Sequence, residues 1–291
     1  MSVKSIYHAF LNISTKLFGV KATKQFDTYV RFHRKINYKN PTTLSDKLCY
    51  MELNVDNPLK NKCTDKYAVR DYVASKGLKS ILVPLCHKVC SDVSDIDYES
   101  LPSKFAMKAT HGCGMNLICD NKDDISREHV LSVAKKFLEK DYGRACLEPH
   151  YQKIPHRVIF EQYLESGADL VDYKFLCFHG VPECILACSN RRYGVKLNAY
   201  TTDWKPYDIL VGNHVNTKEI PRPSTLEQMI EISKVLSKDF DFVRVDLYEV
   251  NQKVLFGELT FSPAAGILPD FQEEYLAKVG SLLQIDSAVN S

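Results

Sequence analysis

The stretch FVRVDLYEVNQKVLFGELTF, residues 242–261, constrains this 291-residue chain more than any other. Val243, Val245 and Leu247, then Leu255, Leu259 and Phe261, read as two strands with a buried face joined by the connection EVNQK. Strand side chains alternate faces with a period of two, so Arg244, Asp246 and Tyr248 share the other face of the first strand. Phe256, Glu258, Thr260 and Ser262 likewise share a face of the second. If those polar faces coincide, two carboxylates and a guanidinium converge. That is costly unless something cationic or phosphorylated sits between them. Coincidence has a geometric condition. The connection must contain an odd number of residues, or the ladder must bulge; a two-residue turn at Asn251-Gln252 in a regular ladder puts Asp246 and Glu258 on opposite faces.

The rest of the composition suits a folded enzyme, with 45% hydrophobic and 25% charged residues. The length suits one large domain or two or three small ones sharing an interface. No run of about 18 apolar residues occurs, so no membrane span is expected. The opening MSVKSIYHAFLNISTKLFGVK is interrupted by Asn12, Ser14, Thr15 and Lys16 and lacks the pattern of a secretory signal. The ten cysteines are therefore expected as reduced, mostly buried thiols in a cytoplasmic protein. A net charge of +2 gives no case for nucleic acid as a partner. The charge is unevenly placed, however. Residues 1–40 hold eight basic side chains against Asp27 alone, a net +7, leaving −5 on the remainder. Ile6, Phe10, Ile13 and Leu17 recur there at helical spacing. A helix packed on the body with a solvated basic face is one expectation; a peripheral contact with an anionic membrane or lipid carrier is the other.

Along the chain, PTTLSDKLCYMELN and TDKYAVRDYVASKG read as helices, the second stopped by Gly77, and KSILVPL reads as a strand. KFAMK and NLICD read as short strands around the loop ATHGCGM. SREHVLSVAKKFLEKD reads as a helix, RVIFEQYL as a strand, and DYKFLCF with VPECILACS as a hairpin around His179-Gly180. STLEQMIEISKVLSKDF reads as an amphipathic helix opened by a capping box of Ser224 and Glu227. Antiparallel hairpins with unevenly spaced helices favour an α+β fold over a parallel doubly wound sheet. The expected division is a mostly helical region 1–102, a small subdomain 103–165 with the glycine-rich loop, and a C-terminal subdomain 166–291 with the metal site.

Lys108 ends a strand and precedes Gly112 and Gly114, an arrangement that lets backbone N–H groups approach phosphate oxygens beside a point charge; an ordinary hairpin turn would use glycine equally well. Neither GxxxxGK[ST] nor GxGxxG occurs. Mg2+ takes carboxylate oxygens together with substrate phosphates, so Asp246, Glu258 and Thr260 are candidate ligands, with Arg244 left to face a phosphoryl group. The C-x3-C pairs Cys86/Cys90 and Cys184/Cys188 read as structural rather than zinc-binding. No GxSxG nucleophile elbow is present. The acidic triplets Asp95–Asp97 and Asp239–Asp241 leave a metal-dependent glycosyltransferase open.

Five blocks in order, DKYAVRDYVASKG, FAMKATHGCG, VIFEQYL, DYKFLCFHG and RVDLYEVNQKVLFGELTFSPAAG, resemble the ATP-grasp superfamily, and within it the TupA-like branch of teichuronopeptide type. The resemblance implies two α+β subdomains clasping ATP. It implies that Lys66 and Lys108 contact ATP phosphates and that the loop 110–115, with His111, Gly112 and Gly114, closes over them. It implies that Glu161, Gln162, Tyr163 and Leu164 form the hinge that meets adenine. Asp246 and Glu258 match the magnesium ligands and Arg244 the arginine near the γ-phosphate. Thr260 stands where superfamily members usually have asparagine. Lys174 and Arg191/Arg192 fall near the site, Lys174 as a catalytic candidate beside Arg244 and Lys108.

The implied chemistry is ATP- and Mg2+-dependent ligation of a carboxylate to an amine through an acyl phosphate. The branch implies cell-surface polysaccharide biosynthesis, with an amino acid or peptide joined to a uronic-acid carboxylate on a glycan or lipid-linked sugar. Two other readings stay open: a glycosyltransferase of the same pathway using a nucleotide sugar, and a non-catalytic ATP-binding protein.

Overall fold

The computed structural model describes residues 3–165, 170–190 and 194–285. The arginine pair Arg191/Arg192 lies outside them. The chain opens with a helical hairpin, α1 (Val3–Phe32), which reverses at Gly19 (φ 78°) so that Ser14 bonds Thr23 at 3.0 Å and Tyr7 bonds Asp27; α2 (Leu44–Asn54), α3 (Pro58–Thr64) and α4 (Val69–Ser75) follow. The start of α2 is fixed by a capping box in which Thr43 and Asp46 satisfy each other's backbone N–H groups. A three-stranded antiparallel sheet follows, β1 (Phe105–Ala109), β2 (Asn116–Cys119) and β3 (Val158–Gln162), in the order β2-β1-β3. Helix α5 (Arg127–Glu139) closes one face of it through Val130 and Ala134 against Phe105, Met107 and Phe160. The short helix α6 (Tyr142–Ala145) packs on α1.

The second sheet holds β4 (Asp172–Phe178), β5 (Val181–Ser189), β6 (Lys196–Tyr200), β7 (Phe242–Val250) and β8 (Lys253–Thr260), ordered β6-β5-β4-β7-β8 and antiparallel throughout. Helix α7 (Leu226–Ser237) packs on one face with α4, burying Met229, Leu236, Val73, Phe175 and Val245 in a common core. Helix α8 (Glu273–Gly280) and α2 cover part of the other face, over Leu176, Cys184 and Leu186. The β7–β8 end of that second face is left for polar groups.

Three local expectations are corrected. KSILVPL is not a strand: Lys79–Ile81 form a 3-10 turn, after which Leu82 bridges Phe256 and Leu85 bridges Glu161, so the segment straps the two sheets together. Ser224 and Glu227 form no capping box. Helix α7 instead begins after Thr225, whose backbone N–H (2.8 Å) and hydroxyl (2.6 Å) both donate to Glu249 of β7, while Glu227 pairs with Arg222. Finally, α1 does not pack on the body through its apolar stripe: Phe10, Ile13 and Leu17 are 49%, 60% and 70% exposed. Leu11 and Ser14 before Gly19 and Thr23, Lys24 and Thr28 after it are the buried positions instead, so Lys24 is buried rather than part of a solvated basic face. The ten cysteines are all free thiols, seven of them buried. No described helix is long and apolar enough to cross a membrane.

Candidate active site

The hairpin meets its geometric condition by the second route. Asn251 and Gln252 form a two-residue turn, both with positive φ (51° and 61°), which would misalign the carboxylates in a regular ladder. A bulge intervenes. Asp246 faces Glu258, whereas Leu247 faces Phe256, so Gly257 is the extra residue. Glycine is required there because a Cβ would lie 2.9 Å from the Asp246 carbonyl oxygen. The bulge reverses the alternation along β8: Val254 and Phe256 join the apolar core on one side of it, Leu259 and Phe261 on the other. Phe256 therefore does not share the polar face with Glu258, and half-buried Leu255 is not a core residue as its alternation suggested.

Across three adjacent strands, Lys174, Asp246 and Glu258 are consecutive partners, with Arg244 opposite Thr260 one step along. Arg244 grips Asp246 with two bonds of 2.7 Å from Nε and a terminal nitrogen; the latter also donates to Thr260 Oγ1 at 3.1 Å and reaches Glu258 at 3.5 Å. The Thr260 hydroxyl donates to Glu258 at 3.2 Å. Lys174 joins Asp246 and also Asp172, the latter at 2.5 Å. Lys66 reaches in from the linker before α4, donating to the Gly112 carbonyl at 2.8 Å and pairing with Glu258 at 3.2 Å. It thereby ties the glycine-rich loop to the hairpin. On the small sheet, Lys108 pairs with Glu161 at 2.5 Å, and Arg70 stands 3.7 Å from the same carboxylate.

The electrostatics follow from this crowding. Burial opposes charge on Glu258, but Lys66, Arg244 and Lys174 outweigh it and hold the carboxyl well below the usual range. Burial likewise opposes the cations. Asp246 keeps Arg244 above its ordinary value, Glu258 does so for Lys66, and Asp172 with Asp246 for Lys174. Among the described residues, five cations (Lys66, Arg70, Lys108, Lys174, Arg244) meet four carboxylates (Glu161, Asp172, Asp246, Glu258). Among the described residues no group of three or more His, Cys, Asp or Glu side chains forms a ready metal site. The donor set does fit Mg2+ in kind, since Asp246, Glu258 and Thr260 present only oxygen on one face.

The predicted residues divide accordingly. Lys66, Lys174, Arg244, Asp246, Glu258 and Thr260 are brought into one cluster, while Lys108 and Glu161 pair on the facing sheet. Gly112 supplies its carbonyl to Lys66, and packing against Met115 and Tyr142 leaves no room for a Cβ; Gly114 takes φ +65°. His111 is not in the cluster. It is 1% exposed, stacked on His156 at 3.9 Å and bonded to the Phe137 carbonyl, and burial followed by His156 depresses its pKa to about 4. Gln162 is exposed and its N–H donates to Pro84; Tyr163 lies under Lys104, with Leu164 half-buried beside it. Asp172 and Arg70 were missed, although Asp172 stands two residues before Lys174 on the same strand face. The acidic triplets serve structure: Asp239 pairs with Lys76 at 2.6 Å, and Asp95 accepts from the N–H groups of Ser91 and Asp92.

The two antiparallel sheets are thus linked through Lys66, the glycine-rich loop and the strap at Leu82–Leu85. The TupA-like ATPgrasp family matches residues 46–284, and the chain belongs to it. Among solved structures, the D-alanine–D-alanine ligase of Bacillus anthracis complexed with ATP is 15% identical, with 76% of this chain matching 60% of that one at a TM-score of 0.44. The D-alanine–D-alanine ligase of Helicobacter pylori is 10% identical, with 83% matching 69% and a TM-score of 0.46. The N5-carboxyaminoimidazole synthase of Aspergillus clavatus, in complex with ADP and 5-aminoimidazole ribonucleotide, is 11% identical, with 69% matching 44% and a TM-score of 0.42. A comparison with curated proteins returned no match.

Proposed function

We propose that the protein is an ATP- and Mg2+-dependent carboxylate–amine ligase, joining an amino acid or peptide to a uronic-acid carboxylate in the synthesis of a cell-surface polysaccharide. One observation carries the reading: a bulge at Gly257 places Asp246 and Glu258 side by side under Arg244, against the side-chain alternation of a plain hairpin. In this reading Lys66 and Lys108 bind phosphate oxygens, and Arg244 stabilises charge on the transferring group. Asp246, Glu258 and Thr260 would hold Mg2+, which when bound neutralises phosphoryl charge. The substrate carboxylate attacks the γ-phosphorus and ADP leaves; the amine then displaces phosphate from the acyl phosphate. Lys66, joined to the Gly112 carbonyl, positions the loop that keeps water out.

The test is ADP and phosphate release from ATP that requires both a uronic acid and an amino acid. Release without dependence on either refutes the ligase reading.

Residues 1–40 are proposed to meet an anionic membrane surface. The support is the outward stripe Phe10, Ile13, Leu17 and Phe18 on a strongly basic helix. Co-sedimentation with phosphatidylserine vesicles should exceed that with phosphatidylcholine vesicles; equal recovery contradicts the contact.

A further inference from the structure

The inward face of α1 carries two buried polar groups that the cluster above leaves unexplained. Lys24 is 1% exposed, and its ammonium donates to the Leu147 carbonyl at a long 3.3 Å. Among the described residues it forms no ion pair. One helical turn later, Thr28 is also 1% exposed, and its hydroxyl has no hydrogen-bond partner. Positions four apart share a helix face, so both groups point the same way. An ammonium has three protons to donate, and leaving buried donors unmet costs free energy.

Both residues line a cavity of about 280 Å3 whose wall also contains Arg244, Glu258 and Thr260. Two further members of that wall, Glu148 and Ser262, are bonded to each other at 2.8 Å. The cavity thus joins the cluster to a pair of buried, anion-seeking donors on α1. Helix α1 lies before the segment 46–284 matched by the family, so this wall is a feature of the chain's own N-terminal region.

We propose that the cavity binds the amine-bearing substrate as an amino acid, with Lys24 and Thr28 receiving its carboxylate; the proposal rests on the ligase reading. A carboxylate accepts from both groups at once and neutralises the ammonium. The amino group is then directed toward Arg244 and Glu258, where the acyl phosphate would form. Lys24 and Thr28 are therefore specificity residues for an acid over its amide.

The experiment is calorimetric titration of the full chain, first with Mg2+ and a non-hydrolysable ATP analogue, then with each proteinogenic L-amino acid and its primary amide. Wild type should bind at least one amino acid, and its amide at least tenfold more weakly. Lys24→Met and Thr28→Val should each weaken the acid at least tenfold, leaving amide and nucleotide affinities unchanged. Thr28→Val keeps the test open should Lys24→Met fail to fold. The proposal is overturned if the amide binds as well as the acid, if both variants retain wild-type affinity for the acid, or if wild type binds the nucleotide but no amino acid. Failure of wild type to bind the nucleotide is a different result, and it sinks the ligase reading instead.

Discussion

Gly257→Ala should damage the site without removing any charged group. The added Cβ would stand 2.9 Å from the Asp246 carbonyl oxygen, 3.4 Å from its carbonyl carbon and 3.1 Å from the Tyr248 ring. Two of these are backbone atoms of the residue that must hold its carboxylate under Arg244. Backbone cannot swing aside as a flexible side chain can. Flattening the bulge is no escape, because a regular ladder would turn Glu258 into the core of Val243, Val245 and Leu247. The strain therefore stays, at about 1–3 kcal/mol for overpacking of this kind. Asp246 and Glu258 should be displaced by some tenths of an ångström, enough to weaken Mg·ATP binding at least tenfold, about 1.4 kcal/mol. Urea unfolding and calorimetry read the two effects separately. Wild-type stability within about 0.5 kcal/mol together with unchanged nucleotide affinity would refute the role given to the bulge.

Gln252→Gly should stabilise the protein by about 0.5 kcal/mol in thermal unfolding, since Gln252 holds φ 61° in a turn that favours glycine at this position. Lys174→Met should cost about 3 kcal/mol by removing a buried ammonium that bridges Asp246, 1% exposed, and Asp172, whereas Arg70→Met should cost less because Arg70 stands 3.7 Å from Glu161, which keeps Lys108 at 2.5 Å; urea unfolding of the two variants gives the order. Burial pushes the Glu148 carboxyl up to about 7, against the hydrogen bonds of Ser262 and Tyr142. Its folded pKa thus exceeds the ordinary 4.5, the native state holds the proton more tightly, and stability falls as pH rises from about 4.5 to 7. That contribution is about 3 kcal/mol and should vanish in Glu148→Gln; parallel stability–pH curves for the two proteins would refute it.

The hairpin's chemistry was legible because alternation is a local rule, and the bulge was legible only as a condition. A lone glycine in the interior of β8 was the available signal for it. The helices with clear caps or periodicity, α2 and α5, and the strands β1 to β5 follow their sequence patterns for the same local reason. KSILVPL failed because three apolar residues in succession, followed by Pro84 and Leu85, cannot distinguish a strand from a strap pinned by isolated bridges to two sheets. At α7, the expected cap lost to Glu249, a carboxylate 24 residues away that no local pattern announces. The α1 stripe misled for a related reason. Periodicity identifies an apolar face but not what covers it, and here the body instead takes the face bearing Lys24 and Thr28. Lys24 reaches Leu147 across 123 residues, so the cavity that joins α1 to the hairpin exists only once the chain has folded.

The most direct test of the proposed function is Mg2+-dependent ATP binding by calorimetry, with Lys108→Ala and Glu258→Gln alongside wild type and UDP-sugars as competitors. The proposed function predicts binding that is selective for ATP, requires Mg2+, and weakens in both variants while each stays folded. If ATP does not bind and a UDP-sugar does, or if both variants bind as wild type does, the paired carboxylates of the hairpin are not a nucleotide site and the ligase proposal falls with them.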